Sequence, residues 1–247
     1  MRTLAWDGLV NVRELGGLPT EDGGETRRGA LVRSENPRGL SEAGWAAVVE
    51  HGVRTVIDLR FREELDLDAP RDTPVEVVHV PLIDGTRQDY FVQIVALADS
   101  TPDAAGFIRE SYRWLLAEPA NLAAAIRAFA AARPGGVLVH CAGGKDRTGV
   151  VVALILRLAG VSIDEVVADY EVSEQHLRAY DDRWVEEAAD AAERERRLRY
   201  RASPGEAMRD VLEELERDHG GARGYLLSAG LADEELDRIR ERLLGPA

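Results

Sequence analysis

The stretch His140-Cys141-Ala142-Gly143-Gly144-Lys145-Asp146-Arg147-Thr148-Gly149 decides how this chain can fold. It follows the apolar run Val137-Leu138-Val139, which predicts a buried strand, and it precedes the apolar run 150–156, which predicts a buried helix. The stretch therefore joins the end of a strand to the start of a helix. The first N–H groups of a helix have no partner inside the helix and lie at the positive end of its dipole. The loop is predicted to bind an anion.

Side chains in this loop indicate a chemical reaction at a phosphoryl group. Cys141 lies at its start, where the same field favours the thiolate, the nucleophilic form of cysteine. Arg147, six residues on, would supply a planar fork that matches two oxygens of a phosphoryl group. Gly143 and Gly144 would let backbone N–H groups turn inward without a clashing Cβ. Together these residues predict a phosphate cradle with a nucleophile at its base.

Three further residues extend the cradle. Lys145 is the only lysine among 31 basic residues, which suggests a compact positive charge directed at phosphate. Thr148 would either donate its hydroxyl to the cysteine sulfur or cap the N-terminus of the helix. With the backbone of Ala142, they complete the predicted set of phosphate-binding residues.

The pattern His-Cys-x5-Arg-Thr-Gly resembles the signature of cysteine-dependent protein tyrosine phosphatases. The form Cys-x-x-Gly-Lys-Asp-Arg-Thr-Gly is similar to that of the atypical bacterial tyrosine/serine phosphatases, a family with members that also act on phosphoinositides. The pattern Asn-x-Arg-x-Leu-Gly-Gly at 11–17 and Leu-x-Arg-Ser at 31–34 resembles the same family, although Glu14 replaces its usual Asp. The resemblance implies an α/β fold with a central, mostly parallel sheet flanked by helices.

The resemblance also implies a two-step hydrolysis of phosphomonoesters, in which Cys141 forms a thiophosphate ester that water then cleaves. The expected substrate is a phosphorylated protein, with phosphotyrosine preferred over phosphoserine, phosphothreonine or phosphoinositides, or a small phosphomonoester. Two alternatives stay open: a silent phosphate-binding module, which would need no reactive thiol, and an arsenate reductase. The single cysteine weighs against the reductase, because that chemistry usually needs resolving thiols.

Departure of the leaving group needs an acid, and three aspartates are candidates. Asp146 lies inside the anion loop, where a neighbouring dianion favours its protonated form. Asp58 ends a β-branched run at 53–59 and, with Arg60, is predicted to face the same crevice as Cys141, because ligands collect at the carboxyl ends of parallel strands. Asp84 follows the next strand and is either the acid or part of an Asp-Gly turn. The predicted order is Asp146, Asp58, Asp84.

Other residues are predicted to support the site from outside the loop. They are His140, Arg60, Arg13 and Arg33, and the last two are expected to pair with nearby acids rather than to touch substrate.

Residues 86–118 show two helical patterns broken at 99–103 and are interpreted as a helical lid insertion, with a plain packing pair as the alternative. Residues 162–247 predict a helical cover, opened by Ser162 as N-cap and including a helix over 181–199.

Composition limits the remaining possibilities. The 247 residues suit a single domain over 1–247, and no apolar run reaches the roughly 20 residues that span a bilayer. A net charge of −14 argues against nucleic-acid binding and stable membrane association. One cysteine and five histidines without paired spacing predict no disulfide, no metal and no cofactor. The start of the chain lacks a signal-like apolar core, so a cytoplasmic location is expected, with signal-less secretion left open.

Overall fold

A six-stranded mixed sheet lies at the centre of the computed structural model, which describes residues 2–68 and 72–245. Its strands are β1 (Arg2–Thr3), β2 (Arg13–Glu14), β3 (Leu31–Ser34), β4 (Val53–Asp58), β5 (Glu76–His79) and β6 (Gly136–His140). The order across the sheet is β1-β2-β3-β6-β4-β5. The first two pairings are antiparallel and the other three are parallel, which confirms the predicted mostly parallel α/β sheet.

The four parallel strands end level with one another. In the register of the sheet, His140 at the end of β6 lies opposite both Ser34 and Asp58, and Asp58 lies opposite His79. The loops that follow these strands therefore gather at one edge of the sheet, which is where α/β proteins bind their ligands. Cys141 is the first residue beyond that edge.

Helices surround the sheet and make up most of the rest of the chain. Within the described residues they are α1 (Glu42–Glu50), α2 (Arg62–Leu65), α3 (Arg87–Ser100), α4 (Ala104–Leu116), α5 (Pro119–Ala131), α6 (Asp146–Leu158), α7 (Ile163–Glu186), α8 (Ala191–Arg201), α9 (Gly205–His219), α10 (Gly221–Ser228), α11 (Asp233–Leu244) and a short 3-10 helix at Pro37–Gly39. No helix among these residues is long and apolar enough to cross a membrane.

The two faces of the sheet belong to two separate cores, because successive side chains of a strand point to opposite faces. Val56 of β4 packs with Trp45 and the first half of the chain on the α1 face. Its neighbour Ile57 packs on the other face with α5, α6 and the C-terminal helices. The helix α6 is apolar on nearly every side, and this second core holds it in place behind the loop that it begins.

Most predicted helices are confirmed, with one correction. Ser162 caps α7, accepting a hydrogen bond from the N–H of Glu165 at 3.3 Å, and α3 and α4 are separated at the predicted break. The continuous helix over 181–199 is wrong, because α7 ends at Glu186 and α8 begins after Asp190. The Asp190 carboxylate accepts a hydrogen bond from the N–H of Glu193 at 2.8 Å, so this residue starts a new helix inside an alanine-rich run.

Candidate active site

Residues 141–145 connect β6 to α6, as the apolar runs on either side predicted. Lys145 is the N-cap residue of α6, so Thr148 lies in the first turn of the helix, and the alternative that Thr148 caps the helix is wrong. Thr148 is fully buried, and its hydroxyl has no hydrogen-bond partner among the described residues. Cys141 is one of these residues, so the predicted hydrogen bond from Thr148 to its sulfur is not formed in this structure. A buried donor without a partner is costly unless a ligand accepts from it.

The two glycines of the loop have different roles. Gly144 has a φ of +66°, and a Cβ there would lie 2.2 Å from the carbonyl oxygen of Ser34, so only glycine fits. A Cβ at Gly143 would meet nothing closer than a Leu177 methyl at 3.7 Å. The predicted need for glycine therefore holds at Gly144 and does not hold at Gly143.

Hydrogen bonds hold the carbonyls of the loop away from the anion-binding side. The side-chain amide of Asn11 donates to the Gly143 oxygen at 2.9 Å. Arg33 donates to the Gly144 oxygen at 2.8 Å and to the Lys145 oxygen at 3.2 Å. With three carbonyls bound on the outside, the loop can present its N–H groups to a phosphoryl group on the inside.

A buried ion cluster stands behind these contacts. Arg13 and Arg33 both bind Asp169 of α7, at 2.6 Å and 2.5 Å, and all three are 2% exposed or less. Burial and the charge of Arg33 lower the pKa of Arg13 to about 10, which leaves it cationic at neutral pH. Burial alone would raise the pKa of Asp169, but Arg33 and Arg13 outweigh it and hold that pKa below its usual range. The expectation that both arginines pair with an acid is confirmed.

Arg147 is oriented by a partner that the sequence did not single out. Its two terminal nitrogens bind the carboxylate of Glu64 at 2.7 Å and 3.2 Å, and its guanidinium lies 5.4 Å from the ring centre of Phe61. Burial opposes the ionised form of both partners, yet the pKa of Glu64 is held below its usual range by Arg147. The pKa of Arg147 is held above its usual range by Cys141 and Glu64, which outweigh burial. The fork is therefore fixed beside the nucleophile.

Cys141 is 3% exposed and lines a cavity of about 330 Å³. The cavity is lined by the loop residues Ala142, Gly143, Asp146 and Arg147, by helices α3 and α4 of the 86–118 segment, and by Trp184 and Tyr200 of the C-terminal helices. The loop, the insertion and the C-terminal part thus meet over the thiol.

Asp146 is the only one of the three predicted acids that lines this cavity. The hydroxyl of Tyr112 donates to one oxygen of Asp146 at 2.9 Å, and the hydroxyls of Tyr112 and Tyr170 lie 2.8 Å apart. Burial, with the charge of Asp146, raises the pKa of Tyr112 well above its usual range, so it stays a donor. The carboxylate is thereby positioned at the mouth of the loop.

Lys145 does not direct its charge into the cavity in this structure. Its side chain is nearly fully buried, and its ammonium donates to the carbonyl oxygens of Tyr200 and, at 2.9 Å, Ala202. It also lies 3.6 Å from an oxygen of Asp146. Lys145 therefore ties the end of α8 to the loop, in addition to placing positive charge beside Asp146.

The prediction that Asp58 and Arg60 face the crevice of Cys141 is wrong. Both line a different cavity, on the α1 face of the sheet, because Asp58 shares its face with Val56. Arg60 binds Asp58 at 2.7 Å, and a nitrogen of His140 lies 3.5 Å from the same carboxylate. Burial alone would raise the pKa of Asp58, but His140 and Arg60 hold it below its usual range, which makes Asp58 a poor acid at neutral pH.

The remaining predicted residues lie around the site without touching its cavity. His140 is buried beneath the loop, where its Nδ1 lies 3.0 Å from the Cys141 carbonyl oxygen, and burial lowers its pKa and favours the neutral ring. Asp84 is exposed and lines a separate surface cavity beside α3. Within residues 2–68 and 72–245, no group of three or more His, Cys, Asp or Glu side chains could hold a metal ion.

Sequence reasoning missed Asp169, Glu64, Asn11 and the cavity tyrosines as parts of the site. Asp169 and Tyr170 lie near the start of α7, where no local pattern marks them, and they reach the loop only through the packing of α7 on α6. Glu64 carried a faint signal, because it follows the strand-end Asp58-Leu59-Arg60 and a loop arginine in a buried site needs a carboxylate.

Comparisons with known proteins agree with this geometry. A family model described as the tyrosine phosphatase family matches residues 4–245. A tyrosine-protein phosphatase of Nostoc commune is 32% identical over 232 residues, covering 87% of this chain and 74% of that protein. A putative tyrosine-protein phosphatase of Cupriavidus necator is 34% identical over 176 residues, covering 70% and 63%. The triple specificity protein phosphatase PtpB of Mycobacterium tuberculosis is 31% identical over 256 residues, covering 89% and 92%.

These matches confirm the resemblance carried by the Cys141 loop and by the 11–17 pattern. The family model covers the insertion and the C-terminal helices as well as the sheet, so the likeness is not confined to one motif. The protein therefore belongs to the tyrosine phosphatase family and is an enzyme of the protein tyrosine phosphatase class.

Proposed function

We propose that this chain hydrolyses phosphotyrosine through a phosphorylated Cys141. The observation that carries the proposal is the aromatic lining of the cavity over the thiol. Six of the 14 aromatic residues of the chain line it: Tyr90, Phe91, Phe107, Tyr112, Trp184 and Tyr200. Flat aromatic walls favour a flat aromatic substrate, which packs against them in offset or edge-on contact.

The burial of Cys141 supports the same choice. A phosphoryl group must reach a buried residue that is 3% exposed and lines a cavity of about 330 Å³. The longer side chain of phosphotyrosine can bring its phosphoryl group to such a sulfur more readily than the short side chains of phosphoserine and phosphothreonine. The helices α3 and α4 form one wall, and we assign them the part of a lid that moves when substrate enters.

The reaction then follows from the arrangement of the loop. The thiolate of Cys141 attacks phosphorus, the S–P bond forms, and the bond from phosphorus to the phenol oxygen breaks. Asp146 gives its proton to the departing phenolate. A water molecule, losing a proton to Asp146, then attacks the phosphocysteine and releases inorganic phosphate and the thiolate. Arg147 and the loop N–H groups stabilise the phosphoryl oxygens through both steps.

The residue that protonates the leaving group can be identified by varying the leaving group. Asp146→Asn is expected to lower turnover of a phenyl phosphate with a poor leaving group by roughly 100-fold, because general acids contribute on that scale. With p-nitrophenyl phosphate, whose phenolate leaves unaided, the loss should be far smaller. The measurement is kcat for both substrates at one pH.

Asp58→Asn and Asp84→Asn are the matched controls for this comparison. Asp58 is bound by Arg60 and Asp84 lies outside the cavity, so both variants should affect the two substrates to the same degree. A selective loss on the poor leaving group in Asp84→Asn, and none in Asp146→Asn, would reverse the assignment.

A substrate panel tests the proposed specificity. Matched peptides with phosphotyrosine, phosphoserine or phosphothreonine, and a soluble phosphoinositide, are compared by kcat/KM. The phosphotyrosine peptide is expected to be the best substrate, with weaker activity on the others. Equal kcat/KM for the phosphoserine peptide would contradict the phosphotyrosine preference.

The same panel tests Lys145. Its ammonium is bound outside the cavity but lies 3.6 Å from Asp146, which lines it. Lys145→Ala is therefore expected to reduce phosphoinositide turnover more than phosphotyrosine turnover, since a second phosphate needs an added cation. Arg201→Ala is the matched control, because Arg201 ties the same end of α8 to Asp182 without lining the cavity. An equal loss on both substrates would make Lys145 a general part of the cradle.

A further inference from the structure

Tyr90 of α3 lies in the catalytic cavity, next to the aromatic ring that contacts Arg147. Its ring packs on Phe61 with centres 5.4 Å apart, and Phe61 in turn lies under the guanidinium of Arg147. Tyr90 lines the catalytic cavity together with Cys141, Asp146 and Arg147. Its position is thus set by the same aromatic ring that flanks the phosphate-binding arginine.

Tyr90 is partly exposed, and its hydroxyl is open to a ligand in the cavity. This hydroxyl makes no hydrogen bond to any residue in the described parts of the chain, whereas Tyr112, on the same cavity, is bound to Asp146 and Tyr170. Burial raises the pKa of Tyr90 above its usual range, and the charges of Asp146 and Cys141 add to that rise, with Arg147 opposing it. The phenol therefore stays protonated, and it belongs to a residue that lines the same cavity as these three groups.

A neutral donor suits the anion that this site binds. A phosphoryl group held in the loop carries three outer oxygens, and a protonated phenol can donate to one of them without adding a charge that must itself be neutralised. Arg147 and the loop N–H groups belong to the loop and α6, whereas Tyr90 belongs to α3. The two sets of donors therefore come from separate elements that line one cavity.

From this geometry we infer that the Tyr90 hydroxyl donates a hydrogen bond to the phosphoryl group bound in the Cys141 loop. Tyr90 is then a catalytic residue supplied by the 86–118 insertion, which takes part in the reaction as well as covering it. The inference rests on the proposed function, because it requires a phosphoryl group in the loop.

The test removes the hydroxyl and keeps the ring. Tyr90→Phe retains the contact with Phe61, and its melting temperature checks that the fold is unchanged. Inorganic phosphate is the probe, and its Kd is measured by calorimetry in the Cys141→Ser background, where no turnover occurs. Tyr90→Phe is expected to weaken phosphate binding by about tenfold, the usual scale for losing a hydrogen bond to a charged group, and to lower kcat/KM for p-nitrophenyl phosphate by a similar factor. Tyr180→Phe, an exposed tyrosine outside the cavity, is the matched control and should change neither quantity.

Several outcomes would decide the matter. If Tyr90→Phe changed phosphate affinity and kcat/KM by less than twofold, the inference would be overturned while the proposed function stood. A rise in KM for aryl phosphates with unchanged phosphate affinity would also overturn it, because the hydroxyl would then serve only the aromatic part of the substrate. A wild-type chain that binds phosphate without hydrolysing esters would refute the proposed function, and the Tyr90 contact would still be judged by its phosphate Kd. Absence of phosphate binding would remove both.

Discussion

Cys141→Ser is expected to lower turnover of p-nitrophenyl phosphate on the order of 10⁴-fold or more, because the alcohol of serine does not replace a thiolate as nucleophile. Cys141 lines the catalytic cavity together with Arg147, and its charge helps to raise the pKa of that guanidinium. The substitution replaces the sulfur by an oxygen and changes the side-chain volume little, so the affinity for phosphate should be unchanged. The measurements are steady-state kcat and the Kd of inorganic phosphate for the same preparation.

Arg147→Ala should lower both the turnover of p-nitrophenyl phosphate and the affinity for inorganic phosphate. The guanidinium lines the catalytic cavity beside Cys141, and two contacts with Glu64 fix its orientation. Removing one preorganised group that binds developing charge typically costs 100-fold to 1000-fold in kcat, and here weaker phosphate binding should accompany that loss. Arg147→Lys keeps the charge without the fork, so it should recover only part of the activity.

The pair of variants separates the proposed enzyme from its competitors. A silent phosphate-binding module would bind phosphate through Arg147 while the wild-type chain showed no turnover for Cys141→Ser to remove. Arg109→Ala is a suitable control, because its ion pair with Asp210 lies on the surface and outside the cavity. Full turnover in Cys141→Ser would refute the thiophosphate mechanism.

The fold and the centre of the site could be read from the sequence because their signals are local. A strand, a five-residue loop and a helix are adjacent in the chain, so the order of residues alone puts Cys141 just after a strand and Arg147 in the first turn of a helix. The break between α3 and α4 and the Ser162 cap are local in the same way. Where neighbours along the chain decide the structure, pattern and propensity suffice.

The wrong predictions concern features of the structure that are determined by residues far apart in the sequence. The crevice assignment of Asp58 failed because a strand end has two faces, and the sequence places a residue at the end of a strand without saying which face its loop will use. The Gly143 assignment failed because the space around a backbone is set by other segments, here by Leu177 of α7. The partners of Arg147 and Arg33 likewise come from residues 83 and 136 positions away.

Among the residues that support the loop from distant parts of the chain, Asp169 is the one whose replacement by alanine should destabilise the fold most. Asp169 binds Arg13 and Arg33, and its loss would leave two buried guanidinium groups facing each other without their shared counter-charge. Breaking a buried ion pair by removing one partner typically lowers the free energy of unfolding by about 3–5 kcal/mol. Arg33 also holds the carbonyls of Gly144 and Lys145, so phosphatase activity should fall together with stability. Urea denaturation and turnover are measured on the same variant.

Asp164→Ala, on the first turn of the same helix, is the matched control. Its ion pair with Arg209 is exposed, so removing it should cost less than about 1 kcal/mol and leave activity unchanged. The pH dependence distinguishes the two further. Because the pKa of Asp169 is lowered in the folded state, its stabilisation is complete above the ordinary carboxyl pKa of about 3.9 and is lost as the pH falls through the lower folded value. The difference in free energy of unfolding between wild type and Asp169→Ala should therefore be constant near neutral pH and become smaller only in acid. A difference that stayed constant at all pH values would mean that the side chain acts by packing and not by its charge.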